Sequence, residues 1–307
     1  MNDIKDIKNV AVLCGGDGRE REVSLRSGEA VCKALNQAGF NAQTLDLHSL
    51  SEVDRVKDFD AAFIAMHGDW GEDGRLQSEL GKMGIHYTGS GPQASSLAMD
   101  KWKSLTLFKK AGIRTPESLL MPVSYDEIIA KLGSDVVVKP CSGGSTVGVT
   151  IINGLTPEKL SQAVELAKES YESDVMIEKY IAGREITCAV WEHEGQAEAL
   201  PVIEIVPHSG FYDYKNKYTS GATEYITPAK IDESAREQIS EMAVKAHKVL
   251  GCRAYSRSDF RLTQDNTAYI LEVNTAPGMT ATSLVPKAAR AAGIDFPEFL
   301  THILRCK

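Results

Sequence analysis

The sequence lacks the features that mark membrane-spanning, secreted and zinc-binding proteins. Its apolar runs are short, residues 61–66 among them, whereas a membrane helix needs about 18 apolar residues or more. The amino-terminal stretch has no apolar segment of signal-peptide length, and the six cysteines show no C-x-x-C spacing. We therefore expect a cytoplasmic protein with reduced thiols, and we predict no membrane partner, disulfide framework or zinc cage.

The chain also has fewer basic than acidic residues. The chain of 307 residues has 34 Lys and Arg against 42 Asp and Glu, which gives a formal net charge of −8. Because it has no blocks of basic residues, we predict no nucleic-acid partner. Hydrophobic residues make up 43% of the chain and charged residues 25%. This is enough apolar material for packed cores in two or three domains.

Residues 1–92 alternate short apolar runs with amphipathic stretches. The runs at 10–14 and 61–66 are typical of buried strands, and the segment between them has helical spacing that ends at Gly39. This βαβ pattern predicts an N-terminal parallel-sheet domain of α/β class. After it, the spacing predicts one unbroken helix across 97–108.

Two further lobes are predicted after this domain. Residues 93–181 contain a valine-rich strand at 136–140, which runs into a loop of glycine and serine. Residues 182–307 contain a predicted hairpin at 254–273. The polar stretch 208–225 has no periodicity and is long for a connection, so it is a candidate lid. The fold class is therefore α/β and α+β, a parallel-sheet domain followed by a two-lobed unit.

The densest chemistry lies in the hairpin. Because side chains alternate along a strand, Arg257 and Asp259 share one face, as do Glu272 and Asn274, with Leu271 on the other. Simple antiparallel register would place Asp259 near Glu272. Two carboxylates and an amide oxygen are hard ligands, suited to Mg²⁺ that carries nucleotide phosphates. The alternative is a solvated polar face of an edge hairpin.

Two further segments combine glycine with polar groups. Lys139 precedes the loop 142–148, whose glycines allow close approach to phosphate oxygens. The loop lacks the G-x-x-x-x-G-K-[ST] spacing, so it is no P-loop, and a flexible hairpin tip is the alternative. The G-x-G-x-x-A at 89–94 is not a dinucleotide fingerprint, because it follows the whole first domain and contains Pro92.

Polar groups also stand where strands end and the chain turns. Glu20, in the first strand-to-helix turn, could meet a substrate ammonium, although acids at helix starts are common dipole partners. His67 ends the next apolar strand, and alone it would more often be structural. The segment 175–185 could hold adenine and ribose, or simply connect two lobes. The loop 274–280 could hold a carboxylate on its amides, or lead plainly into a helix.

In this order, the motifs resemble those of the ATP-grasp enzymes and are similar to those of the D-alanine:D-alanine ligase family. The matching runs extend nearly from end to end of the chain, and together they are far more specific than any one. They are EREVS at 20–24, HGDWGEDG at 67–74, TGSG at 88–91, MDK at 99–101, VKP at 138–140, IEK at 177–179, FYDY at 211–214, KY at 217–218 and NTAPGMT at 274–280.

The resemblance implies a substrate-binding domain at 1–92, ATP-grasp lobes at 93–181 and 182–307, and a mobile loop at 208–225. The implied ATP contacts are Lys101, Lys139, Glu178, Lys179, Ile181, Glu185 and Lys217. The implied ligands of two Mg²⁺ or Mn²⁺ ions are Asp259, Glu272 and Asn274. The implied catalytic groups are Glu20 with Ser145 and Tyr218 at the first D-alanine, and Arg257 with the Gly278 amide at the oxyanion. The implied further substrate contacts are His67, Ser283 and Leu284.

The implied activity joins two D-alanine molecules through a D-alanyl phosphate made with ATP, for cell-wall precursors, in a homodimer. Ligases that use D-lactate or D-serine as the second substrate share nearly all these residues, but Tyr218 favours an amine acceptor. The Glu20 and His67 motifs oppose a different ATP-grasp ligase. A non-catalytic regulatory module should have lost Arg257, a metal ligand or a phosphate lysine. One departure from the family pattern is the loop at 142–145, which reads SGGS where many relatives have charged residues.

Overall fold

The computed structural model describes residues 6–208, 219, 221–280 and 282–306. These residues form three β-sheets. The FYDY motif, Lys217, Tyr218 and most of the candidate lid at 208–225 lie outside these ranges. The last residues of that stretch belong to a strand, which starts at Thr223. Within the described ranges, no helix is both long enough and apolar enough to span a membrane.

The strands are β1 (Asn9–Gly15), β2 (Asn41–Leu47), β3 (Ala61–Ile64), β4 (His86–Tyr87), β5 (Ser118–Leu120), β6 (Val136–Pro140), β7 (Thr150–Ile152), β8 (Val175–Lys179), β9 (Arg184–His193), β10 (Gln196–Ala199), β11 (Ile203–Pro207), β12 (Thr223–Ile226), β13 (Tyr255–Leu262) and β14 (Ala268–Asn274). The α-helices are α1 (Arg21–Gln37), α2 (Asp69–Glu72), α3 (Arg75–Lys82), α4 (Pro92–Met99), α5 (Lys101–Lys110), α6 (Tyr125–Leu132), α7 (Pro157–Ser170), α8 (Glu233–Leu250), α9 (Leu284–Ala291) and α10 (Phe296–Arg305). A 3₁₀ helix covers Leu50–Asp58.

The N-terminal sheet is parallel, in the order β2-β1-β3-β4. The predicted parallel α/β domain is therefore confirmed, but the βαβ pattern overlooked β2, which lies between α1 and β3. Its sequence, NAQTLDL, is mostly polar, because β2 is an edge strand with few buried positions. Both faces of the sheet are covered. Phe63 packs with Phe299 of α10 on one side, and Ile64 packs with Leu76 of α3 on the other.

The other two sheets are antiparallel and define the two lobes. The central sheet has the order β5-β8-β6-β7, and its core is formed with α6 and α7. The C-terminal sheet has the order β12-β11-β9-β13-β14, and β10 pairs with the last residues of β9 on the same edge as β11. Leu105 and Phe108 of α5 pack into the core of this C-terminal sheet beside α8, although the sequence grouped them with the central lobe.

The expectation of one unbroken helix across 97–108 is wrong. Helix α4 ends at Met99 and α5 begins at Lys101, with Asp100 between them in a non-helical conformation. The Asp100 carboxylate caps α5 by accepting the backbone N–H of Lys103 at 3.0 Å. The break lets the backbone N–H of Lys101 donate to the Cys141 carbonyl at 2.7 Å, so α5 is fixed to the glycine-rich loop.

Candidate active site

One cavity of about 880 Å³ is lined by residues from the N-terminal domain and both lobes. Every predicted site residue that the structure describes stands on its wall. From the N-terminal domain and the central lobe these are Glu20, His67, Lys101, Lys139, Ser145, Glu178, Lys179 and Ile181, and from the C-terminal lobe they are Glu185, Arg257, Asp259, Glu272, Asn274, Gly278, Ser283 and Leu284. Residues far apart in sequence therefore share one space.

The hairpin β13–β14 has the predicted register, with Arg257 opposite Asn274 and Asp259 opposite Glu272. The register then shifts, because the next pair joins Phe260 to Ile270 and leaves Leu271 without an opposite residue. Leu271 is only partly buried and lines the cavity, and the shift interrupts the simple alternation that placed it on the face opposite Glu272 and Asn274.

The acidic side chains of the hairpin are held by basic ones. Arg257 forms a fork on Asp259, with Nε 3.0 Å from Oδ1 and Nη2 2.7 Å from Oδ2. The Thr187 hydroxyl donates to the same Oδ1 at 2.6 Å. Lys101 Nζ lies 3.3 Å from Glu272 Oε2. These contacts offset the repulsion that two facing carboxylates would otherwise have.

The donor set of the hairpin fits hard divalent cations, because it combines two carboxylates with the amide oxygen of Asn274. Asn274 Oδ1 is already oriented, since it accepts the backbone N–H of Ala276 at 3.0 Å. In the part of the chain that the structure describes, no three His, Cys, Asp or Glu side chains come together as a metal site. An ion here would therefore need further ligands, such as phosphate oxygens and water.

The opposite wall carries a buried ion pair. Lys139 Nζ lies 2.7 Å from Glu178 Oε2, and the two side chains are only 8% and 3% exposed. The other carboxylate oxygen, Glu178 Oε1, is buried and has no hydrogen-bond partner among the described residues. A buried acceptor without a donor costs about 1 to 3 kcal/mol. A ligand with an amino group, such as adenine, would satisfy this oxygen.

The glycine-rich loop 142–148 is anchored by Tyr171, a residue just after α7 that the sequence analysis did not single out. Gly143 has a φ of +113°, and a Cβ there would lie 2.4 Å from the Tyr171 ring. The backbone N–H of Gly144 donates to the Tyr171 hydroxyl at 3.3 Å. Lys101 Nζ donates to the Gly143 carbonyl at 2.6 Å. The loop is therefore held from two sides.

Glu20 and Ser145 meet across the boundary between the N-terminal domain and the central lobe. The Ser145 hydroxyl donates to Glu20 Oε1 at 2.5 Å. Ser145 itself has a φ of 53°, a left-handed conformation that is uncommon for residues other than glycine. The contact places a carboxylate and a hydroxyl together on the cavity wall, where a ligand ammonium could be received.

His67 connects the N-terminal domain to the loop 274–280. Its Nε2 lies 2.9 Å from Ser27 Oγ and its Nδ1 lies 3.2 Å from the Ala276 carbonyl. Glu72 Oε1 lies 3.5 Å from Nδ1. Burial raises the pKa of Glu72, and the charge of Glu20 adds to the rise, whereas the hydrogen bond to His67 opposes it. His67 thus has a structural contact as well as a place on the cavity wall.

The end of the loop 274–280 is closed by a small hydroxyl network. Ser283 Oγ accepts the backbone N–H of Thr280 at 3.1 Å and lies 2.8 Å from Thr280 Oγ1. Ser283 is the N-cap residue of α9, which begins at Leu284, so the loop does lead into a helix. Ser283 and Leu284 therefore bring a helix start to the cavity, beside Gly278.

Two antiparallel lobes that face one cavity, with Lys139 on one wall, hard oxygen ligands on the other and Lys101 in contact with both, are the arrangement of the ATP-grasp enzymes. The family described as "D-ala D-ala ligase C-terminus" matches residues 100–305. The D-alanine--D-alanine ligase of Desulforamulus reducens is 43% identical over 308 residues, which cover 96% of this chain and 97% of that protein. The chain belongs to the D-alanine--D-alanine ligase family.

Solved structures agree with this assignment. The D-alanine--D-alanine ligase of Bacillus anthracis complexed with ATP is 32% identical, with a TM-score of 0.82 and coverage of 96% of this chain and 95% of that one. The VanG D-Ala:D-Ser ligase of Enterococcus faecalis is 30% identical, with a TM-score of 0.81 and coverage of 97% and 98%. Because these similarities cover nearly the whole chain, they include the N-terminal domain and both lobes.

Proposed function

We propose that the protein is an ATP-dependent ligase that joins two D-alanine molecules into D-alanyl-D-alanine. The observation that carries the proposal is that one cavity contains both the Glu20–Ser145 contact and the hairpin oxygens of Asp259 and Glu272. The first pair suits the ammonium of an amino acid, and the hairpin suits the metal-bound phosphates of ATP. Family membership supports the same activity.

In the proposed reaction, a carboxylate oxygen of the first D-alanine attacks the γ-phosphorus of ATP, and the bond to ADP breaks. The amine of the second D-alanine, once it has lost a proton, attacks the carbonyl carbon of the resulting D-alanyl phosphate, and inorganic phosphate leaves. Lys101 and Lys139 would offset the charge of the phosphates. Arg257 and the Gly278 amide would stabilise the oxyanion that forms during the second attack.

The remaining proposed contacts divide between the two substrates. Glu178, Lys179 and Ile181 would frame adenine, and Glu185 would hold ribose. Ser283 and Leu284 would contact the second D-alanine, and His67 would line the substrate end of the cavity. Lys217, Tyr218 and the closure of the 208–225 stretch enter the proposal through the family resemblance alone.

Asp259, Glu272 and Asn274 would hold two Mg²⁺ ions, or Mn²⁺, which prefers the same hard oxygen ligands. Bound there, the ions would supply neutralisation of the triphosphate charge. We expect EDTA to abolish product formation and added Mg²⁺ to restore it. Restoration by Mg²⁺ but not by Ca²⁺, which adopts larger and more flexible coordination, would support a site of this kind.

The proposal includes a cellular setting. A D-alanyl-D-alanine product would serve as a precursor of the cell wall. The protein would act in the cytoplasm as a homodimer. Light scattering of the purified chain would test the dimer, and a mass of one chain would reject it.

The decisive experiment is mass detection of the product after incubation with ATP, Mg²⁺ and D-alanine. We expect D-alanyl-D-alanine and equal amounts of phosphate, and neither product with L-alanine. Nucleotide binding without any dipeptide would contradict the proposal and favour a regulatory module. D-serine is the second candidate acceptor, because the chain is similar to VanG over nearly its whole length. A mixture of D-alanine and D-serine would show which acceptor is preferred.

A further inference from the structure

The segment that connects the two lobes is held by one arginine on β13. Chain residues 180–183 leave β8 in the central sheet and enter β9 in the C-terminal sheet. Arg261 lies opposite Glu185 in the pairing of β13 with β9. Its Nη1 donates to Glu185 Oε1 at 2.9 Å, and the two side chains are 17% and 19% exposed.

The same guanidinium also contacts the connection itself. Nε donates to the carbonyl of Ile181 at 3.1 Å, and Nη2 donates to the Tyr180 hydroxyl at 3.4 Å. The guanidinium carbon lies 5.8 Å from the centre of the Tyr180 ring. Because a guanidinium is planar and has five N–H donors, it can hold these groups at fixed relative positions, whereas an ammonium cannot.

A second, backbone contact lies one residue further along β13. A Cβ on Gly183 would stand 2.2 Å from the Leu262 carbonyl oxygen, so the connection passes too close to the end of β13 for any side chain. Together, Arg261 and this close approach fix residues 180–183 to the strand that also carries Arg257 and Asp259. Residues two apart on a strand share a face and lie about 7 Å apart.

Resting on the proposed function, we infer that Arg261 is a positioning residue for the nucleotide, which it serves by holding Glu185 and the connection 180–183 against β13. The predicted ribose contact is Glu185, and a carboxylate beside a polyanionic nucleotide needs a compensating cation. Arg261 supplies that cation. Because a carboxylate can accept about four hydrogen bonds, Glu185 can hold a guanidinium and ribose hydroxyls together.

The test measures ADP binding by calorimetry in the presence of Mg²⁺, so it needs no turnover. We expect Arg261→Met to weaken ADP binding about tenfold, the usual cost of losing charge-assisted hydrogen bonds. We expect the ADP affinity of Arg261→Lys to lie between those of the wild type and Arg261→Met, because lysine keeps the charge but lacks the planar fork. The matched control is Arg184→Met. Arg184 forms an ion pair with Glu204 outside the cavity, and its loss should change ADP binding less than twofold.

A second readout separates positioning from a general loss of structure. The wild-type protein should bind ADP several-fold more tightly than 2′,3′-dideoxy-ADP, and in Arg261→Met this ratio should fall towards one. In a Glu185→Gln background, Arg261→Met should weaken ADP binding at most about threefold. An unchanged ratio, or an equal cost in both backgrounds, would overturn the inference.

Failure to fold can be separated from failure of the inference. If Arg261→Met does not fold, the same two nucleotides are measured with Arg261→Lys. A wild-type ratio of ADP affinity to 2′,3′-dideoxy-ADP affinity in that variant would contradict the positioning role of Arg261. Absence of ADP binding by the wild-type protein would instead reject the proposed function. ADP binding without the Arg261 effects would reject only the positioning role.

Discussion

The two walls of the cavity are built in different ways. The hairpin β13–β14 is a ladder of paired residues with a single interruption at Leu271, and Phe260 and Val273 are buried behind it in the C-terminal core. The loop 142–148 includes four residues with positive φ and is held by side chains from elsewhere, namely Lys101, Tyr171 and Glu20. Hairpin groups are thus placed by backbone pairing, whereas loop groups depend on distant side chains.

This difference predicts which substitutions affect turnover and which affect ATP binding. A change to a hairpin oxygen should remove a ligand and leave the surrounding backbone in place. A change at the loop or its anchors should instead displace several groups slightly, because the contacts with Lys101, Tyr171 and Glu20 hold several loop residues at once. We therefore expect the first kind of change to lower turnover and the second to raise the KM for ATP.

The largest effect is expected for Glu272→Gln. The substitution keeps the shape of the side chain but removes a charged metal ligand, so the rate of dipeptide formation should fall by roughly 10²- to 10³-fold. The melting temperature should stay close to that of the wild type. Glu198→Gln, on β10 outside the cavity, is the control and should keep full activity. Wild-type turnover in Glu272→Gln would refute the metal assignment.

A smaller effect is expected for Gly143→Ala. The new Cβ would meet the Tyr171 ring and the residue would hold a left-handed φ, so the loop must shift. We expect the KM for ATP to rise about tenfold, the equivalent of the 1 to 2 kcal/mol that such strain costs. Gly154→Ala is the matched control, because Gly154 has a φ of +72° with no atom within 4 Å of its Cβ position. Equal KM values in the two variants would show that the Tyr171 contact does not hold the loop.

Tyr171→Phe should have a milder effect of the same kind. It keeps the ring against Gly143 and loses the hydroxyl, which accepts the Gly144 N–H at 3.3 Å and donates to the Gly144 carbonyl at 3.4 Å. Both hydrogen bonds are long, and their combined loss of about 1 kcal/mol corresponds to a rise of about fivefold in the KM for ATP. Steady-state kinetics with ATP varied at saturating D-alanine would measure it. A larger rise in the KM for ATP in Tyr171→Phe than in Gly143→Ala would mean that the hydroxyl, and not the ring, is the main anchor of the loop.

The smallest effect is expected at Cys141, although this thiol lies directly before the loop. Burial raises the pKa of Cys141 to about 12, with added contributions from the charges of Asp100 and Asp174. At pH 8 about one thiol in ten thousand is then ionised, so we expect Cys141 to be a poor nucleophile. Cys141→Ser should keep activity within about twofold, and iodoacetamide at pH 8 should not inactivate the protein. Rapid inactivation that Cys141→Ser prevents would contradict this picture.

The same contrast explains what could be predicted from the sequence. The register of Asp259 and Glu272 was predictable because a short turn and strand alternation are local features. The shift that exposes Leu271 was not, since a bulge leaves no simple mark in the alternating pattern. The break at Asp100 was missed for a similar reason. Both sides have helical spacing, and the contact of Lys101 with Cys141 that fixes the break joins distant residues.

The side chains that hold the cavity together were harder to find than those that line it. Tyr171 contacts the backbone of two glycines, and Arg261 contacts the carbonyl of Ile181. Backbone partners carry no side-chain signal, and they lie 27 and 80 positions away from these residues. Ser27 was missed as well, because its role is to connect His67 to the backbone of Met279.

The central claim is that both walls act on one reaction in which D-alanine is first phosphorylated on its carboxylate. Transfer of oxygen-18 from labelled D-alanine carboxylate to inorganic phosphate tests it most directly. If D-alanyl phosphate forms, one labelled oxygen should appear in phosphate for each dipeptide made. Dipeptide formation with unlabelled phosphate would mean that ATP is split by another route, and the proposed joint role of the two walls would be wrong.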